Sequence, residues 1–202
     1  MPRVLTQEDV TDFRERLIDT AERLFAEHGA EAISMRQLAT ELGVSPMTPY
    51  RYFKDKDDIL AAVRARGFER FAIALEAALA SSDDPIKASR HVGAAYIKFA
   101  FDYPAAYRLM FDLSQPHRPD HPDLIRAGTR AQKTMTDHVK RLKDAGLIEG
   151  DLDRIALTFW AAIHGLVVLK LSGMLDPSLD FAGLAHDQQL ALLRGLRPRS
   201  AQ

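Results

Sequence analysis

Between Phe13 and His28 the apolar side chains Phe13, Leu17, Ala21, Leu24 and Phe25 recur at spacings of three and four. Arg14, Glu15, Asp19, Glu22 and Arg23 turn mostly away, which is the pattern of an amphipathic helix. Gly29 ends it in the left-handed conformation that glycine supplies most cheaply. Ser34 and Gln37 are spaced as a capping box, in which each side chain satisfies an amide at a helix start, so a second, short helix is expected as far as Leu42. Gly43-Val44-Ser45 reads as a tight turn. Ser45-Pro46 then opens a third helix ending near Phe53, because a proline in the first helical position gives up no bond. Asp55 caps a fourth helix, with Asp57 and Asp58 placed against the positive end of its dipole. Its apolar face holds Ile59, Leu60, Val63, Phe68, Phe71 and Leu75, and it should reach about Ala80.

Proline and aspartate punctuate the rest. Asp83-Asp84-Pro85 opens a fifth helix, and Asp102-Tyr103-Pro104 breaks it and opens a sixth. Pro116, Pro119 and Pro122 define a loop. A seventh helix is expected over about Asp123 to Ala145, an eighth from Asp151 to before Asp176-Pro177, and a ninth from about Asp180 to Leu193. No segment carries the two-residue period of a strand. The expectation is an all-α protein of about nine helices. Its amino-terminal three-helix unit, residues 1–54, is joined by the fourth helix to a larger body, residues 55–202.

Composition narrows this picture. The chain has 202 residues, of which 47% are hydrophobic and 27% charged, enough for a small domain and a medium one, both folded. The net charge is −1, and residues 1–60 hold 8 Lys/Arg against 12 Asp/Glu, so any affinity for nucleic acid has to come from a local cluster. With no cysteine there is no disulfide and no thiolate metal site. The first fifteen residues lack the apolar stretch of a signal peptide, and a cytoplasmic location is expected. The 15 residues Ile155–Leu169 carry no formal charge, but spanning a bilayer takes roughly 20, so burial inside protein is expected rather than a membrane.

Two short helices joined by Gly-Val-Ser and braced by a longer one have the layout of a helix-turn-helix, whose second short helix enters the major groove. Simple packing of a three-helix unit is the alternative. Across residues 34–56, Arg36, Arg51, Lys54 and Lys56 outnumber Glu41 and Asp55 and alternate with Ser34, Ser45, Thr48, Tyr50 and Tyr52. These are side chains that bind phosphates and base edges. The run LIDTAERLFAEHGAEAISMRQLATELGVSPMTPYRYFKDKDDIL resembles the amino-terminal domain of the TetR family, through the Gly-Val-Ser turn, Tyr50 with Phe53, and Lys56. That resemblance implies that Ser34, Tyr50 and Lys56 hold phosphates and that Arg36, Gln37, Pro46, Met47 and Thr48 face bases. Ser45, Arg51 and Tyr52 complete the expected surface. The fork of Arg36 matches O6 and N7 of guanine. Family members commonly have Gly and Leu where this chain has Met47 and Pro49. Lacking an amide, Pro49 either costs the recognition helix its first internal bond or delays its start. Arg3 lies in an arm expected to be disordered rather than seated in a minor groove.

In the body, Tyr96, Phe99, Tyr103, Tyr107, Met110 and Phe111 flank the junction of helices five and six, and Met135, Phe159, Trp160 and His164 lie on seven and eight. Bundle interiors lined this way hold small molecules, and they also form plain core. Trp160 and His164 share a helical face, and both have polar tips that need partners when buried. The segments FAFDYPAAYRLMF and FWAAIHGLVVLKLSGML resemble the Trp-His-Gly carboxy-terminal domain of some TetR-family regulators. Helix eight is apolar nearly all round and must be covered on both sides. The resemblance implies that helices eight and nine, the latter with Leu184, Leu190, Leu192 and Leu193, pair with a second copy, presenting two recognition helices about 34–36 Å apart. His117-x-x-x-His121 has metal-ligand spacing only on a helix, which Pro119 forbids. No nucleophile or paired-acid arrangement points to catalysis, and no cofactor is expected. Together these features predict a homodimeric repressor of operator DNA, released by a small-molecule effector. The alternatives are a ligand buffer that no longer reads DNA and a constitutive DNA binder whose body only holds the dimer together.

Overall fold

The computed structural model describes residues 6–112 and 121–198; Arg3, Pro116, His117 and Pro119 lie outside the described residues. All the α-helical and 3-10 elements described are helices in this order: α1 Gln7–His28, α2 Met35–Glu41, a 3-10 turn Pro49–Arg51, α3 Lys56–Ala80, α4 Pro85–Asp102, α5 Pro104–Met110, α6 Pro122–Asp144, α7 Leu152–Leu171 and α8 Phe181–Gly195. The all-α expectation holds. Eight of the nine expected helices are α-helices, and the third is a single 3-10 turn.

Polar side chains start the helices where the sequence placed them. Ser34 and Gln37 form the expected capping box, with Ser34 N donating to Gln37 Oε1 at 2.8 Å. Asp55 accepts from Asp58 N, Asp84 from Ile86 N and Lys87 N, and Asp151 from Arg154 N. A further box, Thr6 with Asp9, begins α1 at Gln7, six residues before Phe13, from which the helix was expected. Gly29 has φ 82° as anticipated, but ψ 147° carries the chain outward in an extended direction instead of the usual left-handed cap. Gly43 (φ 65°) does close a left-handed cap: Val44 N reaches Ala39 O at 2.9 Å, and Gly43 N reaches Thr40 O at 3.0 Å.

Contacts divide the chain into two compact units. The first holds the residues up to Phe68 together with Ala105–Ala127. Its core gathers Leu17 and Phe25 of α1, Leu38 of α2, Phe53, and Ile59 and Val63 of α3, with Leu109 of α5 joining them. Arg66 on α3 ties this core to α1 through Asp19 and Glu22, each at 2.5 Å. The second unit is Glu69–Pro104 with the residues from Gly128 onward. There Val139 and Leu142 of α6 meet Ile155 and Phe159 of α7 around Ile148. Phe71 stands edge-on to both Tyr96 and Phe99, with ring centroids 5.0 and 5.1 Å away.

Helix α7 has the length and composition of a membrane-crossing helix, and it is the one such helix among the described residues. Only 28% of its apolar window is buried within the chain. The expected burial is therefore not supplied by the chain's own elements: Leu157 is 61% exposed, and Val168 and Leu169 are also exposed. Helix α8 has no buried residue at all.

Candidate DNA-reading surface and effector cavity

The recognition segment departs most from its expectation. A proline at position 49 cannot donate to Ser45, so an α-helix beginning at Pro46 has no hydrogen bond at its fourth residue. The chain turns more tightly instead. Thr48 N bonds Ser45 O at 2.8 Å, Arg51 N bonds Thr48 O at 3.1 Å and Tyr52 N bonds Pro49 O at 3.0 Å, each reaching back three residues. This buries Pro49 and Phe53 and turns Met47, 67% exposed, and Tyr50, 48% exposed, to solvent beside exposed Ser45, Pro46 and Arg51. Ser34, Arg36 and Gln37 are exposed at the start of α2. Among the described residues the Arg36 guanidinium makes no ion pair or hydrogen bond, whereas Glu41 at the far end of α2 is taken up by Arg23.

Three expected contacts are less open, two of them through other engagements. Thr48 is only partly exposed. The Tyr52 ring lies 4.5 Å from that of Phe13, and its carbonyl accepts from Arg14 Nη1 at 3.0 Å, so this tyrosine helps brace α1. Lys56 donates to Ala30 O at 2.9 Å and Glu31 O at 3.4 Å, fixing the turn after α1. Such bracing determines where the exposed row sits, a role that the residue types alone did not signal.

In the second unit a cavity of about 510 Å³ opens among α4, α6, α7 and α8. Of the ten residues expected to face an effector, Met135 and Phe159 line it. The other eight candidates do not. Tyr96, Phe99, Tyr107 and Met110 are buried core, Tyr103 is exposed, and Phe111 is half-buried against Tyr107 and Phe68. Trp160 and His164 sit one position beyond Phe159 and Ile163, which turns them about 100° around α7 from the cavity. Their polar tips converge on one fully buried hydroxyl: Trp160 Nε1 donates to Tyr96 Oη at 3.2 Å, and His164 Nδ1 lies 3.1 Å from the same oxygen. The phenol oxygen accepts from the indole and shares a second hydrogen bond with His164 Nδ1, whose direction follows the tautomer of the imidazole. Burial also holds the pKa of His164 below its ordinary value.

Sequence reading missed Gly93 and Phe101 of α4, His138 of α6, and Phe181, Ala185 and Gln189 of α8 as cavity residues. Ser89 accepts from Gln189 Nε2 at 3.0 Å, a bond joining α4 to α8 at the cavity wall. His138 lies on the Met135 face of α6, three residues on, and that spacing was the available signal. Its ring stands edge-on to Phe159, with centroids 5.6 Å apart. Desolvation lowers its pKa to about 4, and it is neutral near pH 7.

A braced helix-turn-helix displaying arginine and tyrosine, on an all-helical chain with a body cavity, is the architecture of a bacterial DNA-binding regulator. Residues 17–63 match the family profile "Bacterial regulatory proteins, tetR family", and residues 89–192 match "Tetracyclin repressor-like, C-terminal domain". An uncharacterized HTH-type transcriptional regulator of Mycobacterium tuberculosis is 27% identical over 189 residues, covering 93% of this chain and 83% of its own. A Rhodococcus sp. RHA1 protein of unknown function superposes with a TM-score of 0.81 at 30% identity, over 92% of this chain and 95% of that one. The fatty acid degradation regulator FadR of Bacillus halodurans shares the fold, with a TM-score of 0.72 at 21% identity over 91% and 99%. The chain belongs to the TetR family of transcriptional regulators.

Proposed function

We propose that this regulator is a homodimeric repressor, working in the cytoplasm where its operator is, and released from double-stranded DNA when a small molecule fills the cavity among α4, α6, α7 and α8. The observation that carries the reading is the display of Met47 and Tyr50 on a turn whose Pro49 and Phe53 are buried. Large apolar and aromatic side chains held out to solvent on a rigid turn, beside Arg36 and Arg51, suit base edges and phosphates better than water. On this reading residues 1–54 form the DNA-binding domain, and Ser34, Arg36, Gln37, Ser45, Pro46, Met47, Tyr50 and Arg51 form its contact row. Thr48, Tyr52 and Lys56 act at the edge or by bracing. The exposed apolar side chains of α7 and the bare face of α8 support pairing with a second copy, which gives the two-fold symmetry of an operator.

A route from effector to DNA follows the chain. Helix α4, whose Gly93 and Phe101 line the cavity, runs through Tyr103-Pro104 into α5. In the first unit α5 presses on α3 so closely that a Cβ at Gly67 would stand 2.9 Å from Met110 Cγ. Buried Arg64 donates from Nη2 to Met110 O at 3.2 Å, pinning the end of α5 to the same helix. A shift of α5 is therefore felt by α3, whose Lys56 end holds the turn after α1. Coupling of about 1–3 kcal/mol is typical of such devices. Selection of bound sequences from a random DNA pool, followed by metabolite-dependent release, tests the reading. Failure to retain any sequence specifically would sink it.

A further inference from the structure

We propose that the cavity among α4, α6, α7 and α8 takes an uncharged, mainly apolar effector whose single oxygen function, a hydroxyl above all, hydrogen-bonds to His138. The inference rests on the effector role proposed for this cavity and adds the chemistry of what enters it.

Most of the wall is hydrocarbon: Val92, Ile97 and Phe101 of α4, Phe159 and Ile163 of α7, and Leu192 of α8. Its size falls within the range of about 300–1,000 Å³ common to small-molecule pockets. Into this wall α6 sets His138, an imidazole only 3% exposed. Its Nδ1 makes no well-aligned hydrogen bond among the described residues; the polar groups nearest the ring are the backbone of Thr134 and Met135 on its own helix. A buried polar group left unpaired is costly, and such groups call for a partner. The other buried polar side chain on the wall, Ser89, already accepts from Gln189. Among the described residues, His138 is thus the deeply buried polar side chain on this wall whose ring nitrogen lacks a well-aligned partner.

The partner it suits is neutral. His138 carries no charge near pH 7, so a carboxylate brought to it would lose its water without meeting a cation, and an ammonium would meet no anion. The cations that line the cavity are on exposed residues: Lys98 already pairs with Asp102 at 2.6 Å, and Arg90 faces solvent. A hydroxyl donates or accepts and fits either tautomer of the ring. Its apolar body replaces water along the hydrocarbon wall.

Head groups on one ten-carbon tail test this directly: 1-decanol, decanoate and decylammonium, titrated calorimetrically into the intact protein. Decanol is expected to bind saturably and at least tenfold more tightly than either ion. In His138→Leu its affinity should fall at least fivefold while that of decanoate holds. Gly93→Leu is a second variant, because a Cβ there meets only Ile163 Cδ1 at 3.7 Å and the longer side chain fills the cavity; it should abolish binding of the alcohol. Decanoate matching decanol in the parent protein, decanol binding unaltered in either variant, or no binding by any of the three overturns the proposal. His138-dependent decanol binding that leaves operator affinity unchanged supports it, and removes the sensor role instead.

Discussion

Tyr96 Oη and His164 Nδ1 lie 3.1 Å apart, joining α4 to α7 through a hydroxyl that also receives the Trp160 indole N–H. Tyr96→Phe deletes that hydroxyl and little else. It removes the hydroxyl that the imidazole and indole nitrogens share in a half-buried site, and the expected cost is about 1–3 kcal/mol of unfolding free energy. Urea denaturation followed by the fluorescence of Trp160, the chain's only tryptophan, measures it. A variant as stable as its parent would show that the three groups are not coupled.

Arg36→Ala should reduce specific operator binding by about 1–3 kcal/mol and relax the preference at one base pair. Fluorescence anisotropy with the selected site and with single-base variants gives both quantities. Undiminished discrimination would assign base reading to other side chains of the row.

Acid should destabilise the protein through His138. Its folded pKa, about 4, lies below the 6.5 of a free imidazole. Above pH 6.5 both states are neutral at this position and its contribution is complete. Between 6.5 and about 4 the unfolded chain takes up the proton first, and stability falls by about 1.4 kcal/mol per pH unit, up to about 3 kcal/mol. His138→Leu should flatten that part of the stability profile, and an equal slope in parent and variant would be evidence against it.

Among the described residues, buried Arg64 makes one hydrogen bond, to Met110 O, its Nε has no partner, and the charge of Asp112 acts on it. Replacing Arg64 with methionine keeps the packing and removes the pin. Stability should stay within about 1 kcal/mol of the parent, since a buried charge repays little of its desolvation. Amide exchange in α5 should nonetheless quicken about tenfold, in line with the loss of a charged hydrogen bond worth about 1.5 kcal/mol. Unchanged exchange over residues 104–110 would place the hold on α5 elsewhere.

Leu157→Arg, on the exposed face of α7, should convert a dimer to monomer without unfolding the chain. Sedimentation equilibrium decides between the two states. A dimer of undiminished affinity would move the interface off this face.

Much of this protein is local and was legible in its sequence. Caps and breakers such as Ser34, Asp84 and Asp151 act on amides two or three residues away, so helix starts, the all-α class and the helix-turn-helix could be read without a fold. Even the departure at Pro49 was legible as a missing amide, although its outcome, a 3-10 turn that points Met47 and Tyr50 outward, was decided by the tertiary structure. What the sequence could not say is which of two adjacent positions on an apolar helix faces a cavity. Trp160 and His164 looked like a binding pair, but one residue is 100° of helix, and the packing of α4 against α7 gave them to Tyr96 and gave the cavity to Phe159 and Ile163. The spacing of His138 from Met135 could place it on the same face of α6, but a histidine shows its unmet hydrogen bond only after its neighbours have closed around it. Tertiary packing alone removes water from a side chain, and it is the removal of water that turns a polar atom into a site.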